Sequence, residues 1–183
     1  MDVHRLMRAV ENLRAVDRPA ATVAAAVRRG LKASKADGAL RGSWLGHPLH
    51  PLMVTVPIGA WVSAAVLDAG NRNDDAARKL IAIGLTAAPP TILLGLADYG
   101  ELDKRQRRVG LVHAVTNAAA VGCFAASYQL RRRGRHTAGK LMSTLALTVL
   151  STGGALGGHL SYAQGAGVHR WQAPRSIEDG TVG

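Results

Sequence analysis

From Pro51 onward the chain alternates long apolar runs with short polar breaks that are mostly basic. The runs cover about residues 51–69, 79–99, 109–130 and 141–162. Each is nearly free of charge over roughly the 20 residues needed to cross a hydrocarbon core. Asp68 and residues 70–78 close the first run, and Asp98-Tyr99 with the loop 100–108 closes the second. Arg131-Arg132-Arg133 closes the third, and a short tail follows the fourth. Pro51 suits the opening of a helix, where its missing N–H is no loss. Pro57 predicts a kink in the first span, and Pro89-Pro90 predicts a bend or break in the middle of the second.

Ahead of the spans the pattern changes to amphipathic. Val3, Leu6, Met7, Val10, Leu13 and Val16 recur at helical spacing, with Arg5, Arg8, Glu11, Arg14 and Asp17 opposite. This predicts a helix over 2–17, broken at Arg18-Pro19. An Ala-rich helix over 21–35 follows, then a linker over 34–43. The pair either packs on the rest of the chain or lies flat at a membrane interface. Four spans with short connections predict an all-α fold, an integral membrane antiparallel four-helix bundle preceded by two N-terminal amphipathic helices. The expected divisions are an N-terminal region 1–43, a transmembrane domain 44–168 and a tail 169–183. Gly153-Gly154 and Gly157-Gly158 form overlapping small-xxx-small pairs that let helices approach closely in lipid.

Charge alone would mislead. The chain carries 23 Lys and Arg against 12 Asp and Glu, a net charge of +11, but the basic residues sit between the apolar runs. That distribution fits juxtamembrane segments beside anionic lipid, so the partner read from it is the bilayer, with no nucleic acid. A single cysteine, Cys123, excludes internal disulfides, Cys-rich zinc sites and an iron–sulfur cluster ligated by this chain. The N-terminus has charges from Asp2 onward and no apolar core, so it does not read as a secretory signal. Counted near the spans, positive charges roughly balance; Arg28 and Arg29 tip the reading toward a cytoplasmic N-terminus.

The alternation of span direction brings particular side chains to one level. His47 and His50 open the first span and His113 lies near the start of the third. Asp98 ends the second and His159 lies near the end of the fourth. All five therefore fall at one membrane face. His50, Trp61 and Asp68, spaced by eleven and seven residues, share one face of the first span, and His113, Thr116 and Asn117 share one face of the third. Thr144, Thr148, Ser151, Thr152, Ala155, His159 and Tyr162 make one stripe on the fourth, predicted to face the interior. Ionisable residues inside spans usually face a cavity and pair with something. Imidazole suits iron, copper and zinc, so the pool His47, His50, His113 and His159 is read as ligands to a b-type haem or to a bare zinc or copper ion. Spacing does not choose between them. Asp98 would fix a histidine tautomer, Trp61, Asn117 and Tyr162 would line the site, and Gly154, Gly157 and Gly158 would clear room for a macrocycle. Histidines relaying protons with Asp98, or serving only as hydrogen-bonded structure, are the alternatives. No hydrolase triad, phosphate loop or paired catalytic carboxylates appear.

These same residues carry a family resemblance. The block from Gly42 to Asp68, with Gly46-His47-Pro48-Leu49-His50-Pro51 and the Pro-Ile-Gly-Ala-Trp of 57–61, resembles the bacterial membrane-protein family called domain of unknown function 2231. Gly-Leu-Ala-Asp-Tyr at 95–99, His-Ala-Val-Thr-Asn at 113–117 and Gly-Gly-His-Leu-Ser-Tyr at 157–162 complete the set. The resemblance implies a multi-pass protein of the bacterial cell membrane. Relatives often continue into a Rieske iron–sulfur domain, which implies an electron-transfer setting. This chain has no Cys/His pairs for such a centre, so an iron–sulfur or other redox partner would be a separate protein.

Overall fold

A computed structural model describes residues 2–70 and 73–168; Arg72, His169 and the rest of the tail lie outside the described residues. Asp2 caps the first helix, α1 (Val3–Glu11), by accepting from the His4 N–H at 3.0 Å. The single helix expected over 2–17 divides, because Asn12 ends α1 and a 3₁₀ turn, Arg14–Val16, leads into α2 (Asp17–Ser34). Pro19 does not separate the helices. It sits in the first turn of α2, where backbone N–H groups have no intrahelical acceptor in any case. The expected linker contains a further helix, α3 (Asp37–Arg41), stopped by Gly42 at φ 82°. A Cβ at Gly42 would stand 2.1 Å from the His47 carbonyl oxygen, so the turn requires glycine.

The first span is α4 (Leu49–Met53) and α5 (Thr55–Ala69), which meet at Val54. Pro57 supplies the cause, since it cannot donate to the Met53 carbonyl; the Thr91 hydroxyl, at 3.5 Å, turns toward that freed acceptor. The second span, α6 (Asp74–Tyr99), starts on an Asn73 cap with Asp74 and Asp75 in its first turn. It continues through Pro89-Pro90 as one helix, so the expected break is a correction. The third, α7 (Lys104–Arg132), opens on a reciprocal box in which Asp103 accepts from the N–H of Gln106 and Gln106 accepts from that of Asp103. The fourth is α8 (His136–Gly158), extended by a π turn, His159–Ala163. All four are long and apolar enough to cross a membrane. Among the described residues there is no strand.

The spans form two antiparallel hairpins, α4–α5 with α6 and α7 with α8, closed into a bundle by α6 against α7 and α5 against α8. At the centre the rings of Trp61 and Phe124 stack, with centroids 4.2 Å apart and planes 12° apart. Small residues make the close contacts: Ala64, Ala77, Ala88, Ala120 and Ala146 are buried. Outward faces carry Leu52, Val66, Ile83, Leu93, Val115 and Leu141, each more than half exposed. So continuous an apolar exterior would be a liability in water and is the expected surface in lipid.

The hydroxyl stripe of the fourth span corrects the sequence reading. Thr144, Thr148, Ser151 and Thr152 face outward, and each hydroxyl donates to the carbonyl four residues earlier at 2.9–3.3 Å. Satisfied within their own helix, they need no interior partner. The buried face of α8 is instead Gly139, Ser143, Ala146, Gly153 and Leu156.

Candidate functional site

His50 stands on α4, inside the bend that Pro57 creates. Its Nδ1 lies 3.0 Å from the Thr91 carbonyl oxygen on α6. A carbonyl can only accept, so Nδ1 donates, and in the neutral tautomer this leaves the acceptor lone pair on Nε2. The ring lies flat against Gly95, where a Cβ would come within 2.9 Å of it. His113, on α7, repeats every part of this. Its Nδ1 donates to the Gly153 carbonyl at 2.8 Å, and its ring lies on Gly157, where a Cβ would come within 2.8 Å. Both imidazoles are thus held at a fixed tautomer by a neighbouring backbone, the arrangement that metal-ligating histidines use.

Asn117 completes this end of α7. Its Nδ2 lies 3.3 and 3.1 Å from the two nitrogens of the His113 ring. An amide N–H donates and a neutral Nε2 accepts, so Asn117 stands within hydrogen-bond reach of the nitrogen that Nδ1 donation leaves as the acceptor. Gly153 makes room for it, since a Cβ there would meet Oδ1 at 2.1 Å. Between this level and the Trp61–Phe124 stack the buried positions are Pro57 and Ala60 on α5, Ala88, Thr91 and Leu94 on α6, Ala120 on α7, and Gly153 and Leu156 on α8.

The remaining sequence candidates go elsewhere. His47 is exposed, while Asp98 is half-buried at the same end of α6. Trp61 is buried at the bundle centre, about 16 Å along its helix from His50 at 1.5 Å per residue. Tyr162 is 92% exposed, which removes it from the lining. Gly154 and Gly158 have nothing within 4 Å of an added Cβ; the glycines that receive side chains are their neighbours Gly153 and Gly157. Among the described residues no three His, Cys, Asp or Glu side chains converge, so the four-ligand site of a closed zinc centre is not assembled.

His159 has a different partner. Its Nε2 contacts Glu11 Oε1 at 2.7 Å, Gln164 donates to the same oxygen at 2.8 Å, and Arg105 pairs with Oε2. Arg108 donates to the Glu11 carbonyl at 2.9 Å and holds Asp17 through two bonds of 2.6 and 2.9 Å. α1 and α2 are thereby fastened across the histidine end of the bundle, and Tyr99, donating to the Ala20 carbonyl at 3.3 Å, adds a further tie. Nothing in the sequence singles out Glu11, which stands on the polar face of α1 and is buried only by docking. Burial by itself would push its carboxyl up; the bonds from Arg105, His159 and Gln164 outweigh this and bring it to about 2. The Arg108 guanidinium, acting against burial and helped by Lys104, likewise holds Asp17 at about 2. Both values lie below those of the unfolded chain, so the latch is at full strength above the ordinary carboxylate range and weakens as pH falls toward 2. Protection of the α1 amides, taken relative to the intrinsic exchange rate at each pH, should therefore be constant from neutral pH down to about 4.5 and fall below it. Glu11→Gln should bring the acidic behaviour to neutral pH.

The chain matches the family described as "Predicted membrane protein (DUF2231)" over residues 46–170. It belongs to that family. The match begins at the Gly-His-Pro-Leu-His-Pro motif and takes in all four spans, so both histidines and their glycines lie within the family region. The chain is accordingly a membrane protein. Neither the curated proteins nor the solved structures offer a match.

Proposed function

We propose that this protein is a membrane electron carrier in which His50 and His113 would hold a b-type haem. The observation that carries the reading is the repeated Nδ1-to-carbonyl bond, which turns Nε2 of each ring away from the carbonyl that holds it, with the Asn117 amide the group a ligand would displace from His113. Imidazole donors suit haem iron. Bound there, haem would supply one-electron chemistry. The protein's share is to fix the two rings and shield them from water. A bare copper or zinc ion would find only two protein donors in this pair. A separate iron–sulfur or other redox protein is the class of partner such a carrier serves. We place the protein in the bacterial cell membrane, with α1, α2 and the histidine end on the cytoplasmic side.

The test is an absorption spectrum of the detergent-purified protein made with haem supplied, oxidised and then dithionite-reduced, beside metal analysis. The expected result is a Soret band with sharp reduced α and β bands, abolished in His50→Ala and in His113→Ala and retained in His47→Ala and His159→Ala. A spectrum without chromophore would overturn the haem reading, and stoichiometric copper or zinc in its place would assign the pair to a bare ion.

A further inference from the structure

The two hairpins repeat one another. In the first, His50, Trp61 and Asp68 are spaced by eleven and seven residues; in the second, His113, Phe124 and Arg131 have the same two spacings. The histidine of each donates to a carbonyl on its returning helix, 41 residues on in the first case and 40 in the second. In each, the glycine under the ring lies four residues beyond that carbonyl. A single helix periodicity would reproduce spacings within one span. It would not reproduce a matched bond and a matched glycine on the second.

Equivalent residues also meet. Trp61 stacks on Phe124, and Asp68 forms a double bond pair with Arg131 at 2.9 and 2.5 Å. Contact between a residue and its own counterpart marks the axis of a two-fold arrangement. α5 against α8 and α7 against α6 are then the same interface seen twice. We infer that the four-helix domain is two copies of one helical hairpin docked about a pseudo-two-fold axis parallel to the spans, and that His50 and His113 face each other across that axis. The axis is fixed at two levels by the aromatic stack and the ion pair. Eleven residues before the stack, on α4 and α7, it passes between the histidines.

The hairpin's docking surface is therefore a self-complementary strip, and its occupant is a second copy of the same hairpin. Fusion into one chain allows what a homodimer cannot, namely opposite charges at a self-paired level. Two identical hairpins would set Asp against Asp or Arg against Arg; here Asp68 meets Arg131. This also makes any ligand of the histidines an axial one, with one imidazole from each copy, a consequence that rests on the functional reading above. The symmetry itself does not.

The test needs no cofactor. In a Cys123→Ser background, His50→Cys with His113→Cys should be bridged within one chain by dibromobimane, giving the fluorescence of the doubly alkylated product. Each single variant, and His47→Cys with His113→Cys, should stay at background. An unbridged 50/113 pair, in protein whose near-ultraviolet dichroism shows the Trp61–Phe124 stack intact, would overturn the axis. If the double variant does not fold, the wild type decides. Through-space contact between the ring protons of the two labelled histidines, lost in either His→Ala variant, supports the axis, and its absence in haem-free protein overturns it. Failure of the haem spectrum alone would leave this result standing.

Discussion

Asp68→Ala is expected to destabilise the bundle by about 3–5 kcal/mol, the range for orphaning one partner of a buried ion pair. The Arg131 side chain is fully buried and Asp68 takes both of its terminal nitrogens. What remains after the substitution is weak: Nε donates to the Ser127 hydroxyl at 3.2 Å, Nη2 to the Ser143 hydroxyl at 3.4 Å, and Asp74 stands at 4.0 Å from Nη1. Gly139 closes the other side, where a Cβ would be 2.6 Å from the Arg131 Cγ, so the guanidinium has no alternative path on that wall. Arg131→Met leaves a carboxylate that is still partly wet and should cost less. Asp68→Leu with Arg131→Met should lie near the wild type, because removing both charges removes both desolvation penalties. Asp68→Arg with Arg131→Asp should recover most of what either charge reversal loses alone. Thermal unfolding in detergent, read as a double-mutant cycle, checks all of these. A swap no better than the single reversals would mean that the two sites are not equivalent across an axis.

How much of this could be read beforehand follows from what periodicity encodes. Span number and the alternating direction of successive spans come from hydropathy and the short connections, and those expectations hold. Which face of a span looks inward is another matter. α6, α7 and α8 are apolar all round, since lipid and core accept the same side chains, so a 3.6-residue period carries little inside–outside signal. Hydroxyls were a poor substitute marker, because Thr148 and Ser151 satisfy themselves on their own helix. The informative small residues were glycines, but Gly153-Gly154 and Gly157-Gly158 offer two registers and only the backbone orientation selects Gly153 and Gly157. The face shared by His50, Trp61 and Asp68 was legible because all three depart from the aliphatic background. Arg131 was read as part of a terminating basic run, and its burial depends on Asp68 from the other hairpin. Glu11 was invisible for the same reason, its partners lying 94 to 153 residues away.

Gly84→Ala is expected to cost about 3 kcal/mol, the upper part of the range for overpacking a core. A Cβ there would stand 2.2 Å from the Trp61 Nε1 and 2.6 Å from Cε2. The indole cannot yield, being 2% exposed, stacked on Phe124 and donating to the Ile81 carbonyl at 3.4 Å. The second hairpin shows what would relieve it. Ser127 against Ser143 and Asn117 against Gly153 fix the register of α7 on α8, and in that register Phe124 is level with Ala146, which is fully buried. One hairpin thus pairs the larger ring with glycine and the other pairs the smaller ring with alanine. Trp61→Phe alone should cost about 2 kcal/mol through the space left beside Gly84. In that background Gly84→Ala should become neutral or mildly stabilising, a coupling of about 2–3 kcal/mol between the two sites. Unfolding midpoints of the four proteins would measure it. Additive losses would mean that the methyl has no access to the space the indole leaves, and that the two hairpins are not built to one plan at their centre.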